Sequence, residues 1–316
     1  MPFAADDART ALASPPRADT DSRAPRRAQL LNWRERSHDD AGTGPSRDRS
    51  QYARGQNFTV VHTELTGGEA VGESGVPDEH MVLLPHAGVR LTVSTAAGDV
   101  VLDEPGLVIV PAGTSSVSAD RDCAVLRVFT CRAEYVAGRA ENADRYAVAD
   151  PAVAPLPSVP PIRIDGAARV YRLADVPADP KRLGRIFRTD SLMINWFPRQ
   201  EGPRDPEKLS PHVHDDFEQG SVTLTGDFVH HFRYPWTPRL SEWRDDEAAP
   251  CSGLAVAVIP PGVIHTTRAV GDGAHDLIDV FAPPRADFLA AGWVLNARDY
   301  HDPAASADTS EPGVPA

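Results

Sequence analysis

His212-Val213-His214 with Glu218 behind it, and His265 closing Pro260-Pro261-Gly262-Val263-Ile264-His265, are the residues of this chain best suited to chemistry. Positions 212, 214 and 218 are an even number of steps apart. On a β-strand, where side chains alternate between faces, all three point the same way. On a helix, 212 and 214 splay apart. The spacing therefore predicts a strand carrying two imidazoles and a carboxylate, with His265 on a later strand as a fourth ligand. Such a donor set suits Fe, Mn, Ni, Cu or Zn. Four protein ligands leave one or two positions for water, oxygen or a bidentate substrate.

The residues around this set resemble the two motifs of the cupin superfamily. The family's first motif has a Gly, then His-x-His, three residues, Glu, six residues and Gly. Its second has Gly, then Pro-x-Gly, two residues and His, often with Asn four further on. His212 to Glu218 and Pro260-x-Gly262-x-x-His265 match; Gly226 falls one residue late, Gly253 is one residue too far from Pro260, and Ala269 replaces the Asn. The resemblance implies an all-β fold of cupin barrels, also called double-stranded β-helices or jelly rolls. It also implies one divalent transition metal on His212, His214, Glu218 and His265. Fe(II) is the favoured ion, with Mn, Zn, Ni and Cu as alternatives.

These residues need strands to hold them. From about residue 56 the chain is a series of short β-branched runs, such as Val89-Arg90-Leu91-Thr92-Val93 and Leu107-Val108-Ile109-Val110, separated by Gly, Pro and Asp. That pattern predicts a sandwich or barrel. A proline-rich stretch over 151–161 cannot be an interior strand and reads as a stiff linker. A second β series runs from about Ser191 to Phe281. The halves share a weak repeat: Pro111 falls on Pro260, Gly113 on Gly262 and Ser116 on His265. The expected organisation is a bicupin: a disordered, mobile tail over 1–55, a degenerate barrel over 56–150 and a linker over 151–180. A metal-binding barrel over 181–300 and a loose tail over 301–316 follow.

With 32 basic and 45 acidic side chains the net charge is −13, which gives no general attraction to nucleic acid or anionic lipid. No run approaches the ~20 apolar residues that span a bilayer. The first residues do not read as a secretory signal. Three cysteines without a CxxC pair argue against a disulfide framework, so a cytoplasmic setting is expected.

Beyond the ligands, Asp216 shares their parity and reads as a catalytic base or as part of a solvated Asp215-Asp216 bend. Gln219 has the opposite parity and is expected to face away. One of His230 and His231 should point into the barrel, as an acid or base near neutral pH. Arg233, between aromatics, reads as a carboxylate clamp or a cross-strand ion-pair partner. The loop from Tyr234 to Pro250 is long enough for a lid. Cys251 reads as a quiet structural thiol.

Three functions follow from the resemblance, each on a small polar or anionic molecule. The favoured one is an Fe(II) dioxygenase, with His230 or His231 moving protons and Arg233 orienting the substrate. The second is a non-redox isomerase or lyase acting on a sugar acid or similar carbonyl compound. The third is a non-enzymatic binding module. Pairing of barrel edges in such proteins makes a homodimer an expectation.

Overall fold

In the computed structural model, which describes residues 24–33, 49–158, 166–176 and 178–300, the β-branched runs become strands and the Gly, Pro and Asp clusters between them become turns. In chain order these are β1 (Gln29–Asn32), β2 (Ser50–Arg54), β3 (Phe58–Leu65), β4 (Ala70–Val76), β5 (His80–Leu84), β6 (Leu91–Thr95) and β7 (Gly98–Leu102). Then come β8 (Gly106–Val110), β9 (Gly113–Ala119), β10 (Cys123–Thr130), β11 (Arg169–Arg172), β12 (Arg185–Arg188), β13 (Met193–Trp196) and β14 (Gln200–Glu201). The last are β15 (Gln219–Thr225), β16 (Asp227–Arg233), β17 (Glu247–Ser252), β18 (Ala255–Ile259), β19 (Ile264–Val270) and β20 (Ala274–Phe281). Among the described residues no helix is long and apolar enough to cross a membrane.

Each half is a large sheet facing a small one. The N-terminal barrel pairs the order β11-β8-β5-β10-β3-β2 with β4-β9-β6-β7. The C-terminal barrel pairs β1-β18-β15-β20-β13-β12, with β14 on β20, with β17-β16-β19. The two large sheets lie back to back. Phe58, Val60, Met81 and Leu83 from one share an apolar layer with Ile194, Val222, Val258 and Val280 from the other. Strands in these sheets are therefore covered on both faces, and β5, β8 and β18 are buried at every residue. The small sheets face solvent on one side, so β9 and β16 alternate between buried and more exposed residues, as half-covered antiparallel strands do.

The domain boundaries differ from those expected. Gln29–Asn32 and Ser50–Arg54 fall in the stretch read as a mobile tail, yet β1 closes the edge of the C-terminal sheet on β18 and β2 that of the N-terminal sheet on β3. Four half-buried residues, Gln-Leu-Leu-Asn, were too short a run to stand out against their Arg- and Pro-rich neighbours. Arg169–Arg172, inside the expected linker, is the edge strand on β8. Of the expected tails and linker, residues 1–23, 34–48, 159–165, 177 and 301–316 lie outside the described residues.

Candidate metal centre and its cavity

His212 and His265 form an isolated antiparallel bridge, each donating its backbone N–H to the other's carbonyl at 3.0 and 2.8 Å. Two residues on, the Gly262 N–H donates to His214 O at 2.7 Å. Gly262 turns the chain at φ +81°, a conformation open to a residue without Cβ. The turn thus lays His265 against the His-x-His pair. One ring nitrogen from each of His212, His214 and His265 lies within 4.8 Å of the others. The His212 Nδ1 meets Ser210 O at 3.0 Å and the His265 Nδ1 meets Val263 O at 2.9 Å. Backbone carbonyls on Nδ1 hold the proton there and leave Nε2 as the donor atom.

The fourth group is Gln219, not Glu218. The Gln219 Oε1 lies 2.9 Å from His214 Nε2 and 3.4 Å from His265 Nε2. Glu218 points the other way, to the backbone N–H of Gln56 and, at 3.2 Å, the hydroxyl of Tyr146. Parity counting failed because 212–218 is not one strand. A bend at Asp215-Asp216 interrupts it, and β15 begins only at Gln219. One signal was present in the sequence: Gly226, a residue late when counted from Glu218, is in step when counted from Gln219.

The other predicted site residues scatter. Asp216 is exposed on that bend, and its carbonyl accepts from Ala154 N–H. His230 points into the barrel on the face shared with His265, its Nδ1 2.9 Å from Thr267 Oγ1 and its Nε2 enclosed without a partner. His231 occupies the opposite face of β16, as the alternation requires. Arg233 shares that outer face and pairs with exposed Asp246 on the adjoining strand connection. The loop after Tyr234 packs toward the N-terminal segment, with Arg244 Nη1 donating to Pro25 O. Asp246, Glu247 and Ala248 from it line a pocket with His231, Arg233 and His265, but none of its residues lines the cavity that also holds His212 and Gln219.

That cavity, of about 500 Å³, is lined by His212, His265 and Gln219 at one end. Its walls carry Arg182, Arg199, Arg204 and Arg285, with Asp279 as the one carboxylate among the described residues there. Arg204 is held by Thr267 O, Lys208 O and Ser210 Oγ at 2.7–3.1 Å. Arg285 lies 3.7 Å over the Phe288 ring and is paired with Asp287. Asp279 is buried, accepting from Ser221 Oγ at 2.9 Å. Three of the four arginines are paired, Arg182 with Asp179, Arg199 with Asp276 and Arg285 with Asp287, so with Asp279 the cleft is rich in charged groups but close to charge-balanced. The arginines and Asp279 come from separate loops and strands, so no local motif announced them.

Burial above all, then the Arg285 guanidinium and the two neighbouring imidazoles, holds the His214 pKa well below the usual histidine value. It is neutral near pH 7, the form in which imidazole binds a metal. Burial likewise takes His230 down to about 3, with His265 and His231 adding to the effect. Glu218 is pushed up to about 7 by burial, against the lowering effect of its bonds to Gln56 and Tyr146.

No family model matches the chain, and no curated protein matches it. Solved structures do. The Lactobacillus farciminis oxalate decarboxylase formate complex superposes with a TM-score of 0.52 at 14% identity, over 81% of this chain and 86% of that one. A point mutant of Bacillus subtilis oxalate decarboxylase gives 0.51 at 13% identity, over 81% and 77%. A deletion mutant of the same enzyme gives 0.52 at 12%, over 90% and 87%. At these identities the likeness is one of fold: two cupin barrels in tandem.

Proposed function

We propose that this bicupin-fold chain is a metal-dependent enzyme acting on a small carboxylate by non-redox, Lewis-acid chemistry, as a lyase or isomerase. The observation that carries the reading is a cluster of three histidines and Gln219 Oε1 at the end of an arginine-lined cavity. The donor set fits a divalent transition ion. Gln219 Oε1, at 2.9 and 3.4 Å from two imidazole nitrogens, would complete the set that holds the ion. Two of its imidazoles carry the backbone-carbonyl contact that orients metal-binding histidines.

When bound, the ion supplies Lewis-acid polarisation of a carboxylate or carbonyl oxygen. Three imidazoles and an amide bring no negative charge, so the site favours an anionic partner more than one built with Glu218 would. Arg204 orients the substrate carboxylate, while Arg285 is already engaged by Asp287 through two bonds. Asp279, on the same wall, is the group placed to take up or return a proton. Phe197, Leu277 and Phe281 supply apolar wall to the cavity. His230 reaches the cavity only through the Thr267 hydroxyl, which it holds. The oxalate decarboxylases that share the fold have names that describe carboxylate cleavage, which accords with this class.

A second reading, the Fe(II) dioxygenase, draws on the two positions that four protein ligands leave open on an octahedral ion. It is weakened by the loss of the carboxylate donor, because anionic ligands favour the oxidised metal. The test is metal analysis of protein purified without added metal, followed by turnover of a panel of small mono- and dicarboxylates with and without oxygen. Oxygen-independent turnover that chelation stops and a divalent ion restores is expected. Strict dependence on oxygen with one iron per chain would transfer the assignment to the dioxygenase.

A further inference from the structure

We infer that Glu218 is a positioning residue through which the N-terminal barrel sets the coordination geometry of the C-terminal one. The inference rests on the metal reading of the histidine cluster and goes beyond it. Glu218 and Gln219 are consecutive, and their side chains leave the backbone in opposite directions. Gln219 reaches His214 and His265, while Glu218 is 3% exposed in the seam between the barrels.

Both Glu218 oxygens are occupied by groups from the other half of the molecule. Oε2 accepts the backbone N–H of Gln56, at the start of the N-terminal barrel, and Oε1 accepts the Tyr146 hydroxyl at its end. Tyr146 in turn accepts from Gln29 Nε2 at 3.3 Å, tying in β1. The surroundings leave little room for Glu218 to move. A Cβ on Gly55 would come 2.8 Å from Glu218 Oε2, and one on Gly220 would come 2.8 Å from the Phe58 ring. Residues 218 and 220 are thus pressed onto the N-terminal half on both sides of Gln219.

Gln219 opens β15, between Ile259 of β18 and Phe281 of β20, and the contacts of its two neighbours with the N-terminal half add a second constraint on the peptide that aims its side chain. Buried, doubly hydrogen-bonded carboxylates hold such a position firmly because any rotation leaves polar groups unpaired. The N-terminal barrel, which has no such histidine cluster among its described residues, acts as the template against which the amide is aimed.

The experiment is a double-mutant cycle on the full chain loaded with Co(II), reading the visible ligand-field bands and the dissociation constant by chelator competition. Glu218→Ala is expected to weaken Co(II) by about 10- to 100-fold, the range for groups that orient ligands, and to shift the bands. Gln219→Ala should do the same, and the double variant should be no worse than Gln219→Ala alone, since coupled residues are non-additive. Glu218→Gln keeps an acceptor for the Gln56 N–H and is expected to restore the wild-type spectrum. Additive losses, an unchanged Glu218→Ala, or a Glu218→Gln as impaired as Glu218→Ala would each overturn the inference while leaving the metal reading intact. A wild-type chain that takes up no Co(II) would overturn the metal reading itself, and the inference with it. Should Glu218→Ala fail to fold by circular dichroism, Tyr146→Phe replaces it. A smaller band shift that vanishes in the Gln219→Ala background is then expected, and no shift would overturn the inference.

Discussion

The two barrels share a frame and differ in what fills it. His80 stands opposite Val110 in the N-terminal barrel as Gln219 stands opposite Ile259 in the C-terminal one. Arg127 stands opposite Val82 as Asp279 stands opposite Ser221. Around those positions the N-terminal interior is aliphatic: Leu84, Leu91, Val93, Val108, Val110, Val117 and Val125 pack against one another. The C-terminal interior carries Ser221, Thr223, His230, Thr267 and Asp279 and keeps a cavity. The N-terminal barrel neutralises its own buried charge. Arg127 is paired with Glu73 and donates to Thr63 Oγ1 at 3.0 Å, and Tyr135 donates to Glu73 at 2.7 Å. His80 stacks on Phe129 with centroids 4.8 Å apart. One copy of the frame spends its interior on packing, and the other leaves polar groups and space for a ligand. The serine matched to His265 in the repeat also shifts. Ser115, not Ser116, is the buried residue at the start of β9, one step out of register with the sequence alignment of the halves.

The sharpest break of that contrast is His214→Ala. Metal measured by plasma mass spectrometry should fall from about one ion per chain to background while the far-ultraviolet circular dichroism stays that of the parent. A retained metal complement would place the ion elsewhere. Next in size is the buried pair of the N-terminal barrel. Arg127→Ala leaves Glu73, 13% exposed, with the Tyr135 hydroxyl but no cation and should cost about 3 kcal/mol in urea unfolding, whereas replacing both partners with Met and Leu should cost less. Neither change should alter the bound metal; if either does, the N-terminal interior is not purely structural.

The smallest expected effect is one of pH. Burial, then the Arg127 guanidinium, lowers His80 to about 3, whereas the unfolded chain takes up the proton near 6.5. Between those values the unfolded state binds more protons, so stability falls as pH falls, by up to about 1.4 kcal/mol per pH unit from this residue. His80→Phe should flatten the decline between about pH 6 and about pH 5. An unchanged slope would mean that the proton is taken up elsewhere.

Much of this was legible from residue order alone, and the reasons are local. His212, His214 and His265 could be read because each lies within two or three residues of the backbone feature that orients it: an alternating pair in one case, a Pro-Gly turn in the other. The strands of the large sheets could be read because burial on both faces leaves continuous Val, Leu and Ile runs. Gln219 could not, because period-two counting assumes an unbroken strand and the bend at Asp215-Asp216 resets it. Arg204 meets Asp279 and Arg285 only when two distant segments are folded together. Arg233 was misleading for the opposite reason: its aromatic neighbours suggested a pocket, and the strand's alternation sent it to the outer face.

Strand β1 has a consequence for how the molecule is made. Its partner β18 lies about 230 residues further along the chain, and at a synthesis rate of roughly 5–20 residues per second that interval is on the order of 10–45 s. Leu30 and Leu31 must wait that long with the hydrogen-bonding edge meant for β18 unpaired. The C-terminal barrel finds this edge strand already made when β18 emerges. That edge comes from a segment that precedes the whole N-terminal barrel, so the C-terminal sheet is completed by a strand reaching it from the other side of its neighbour.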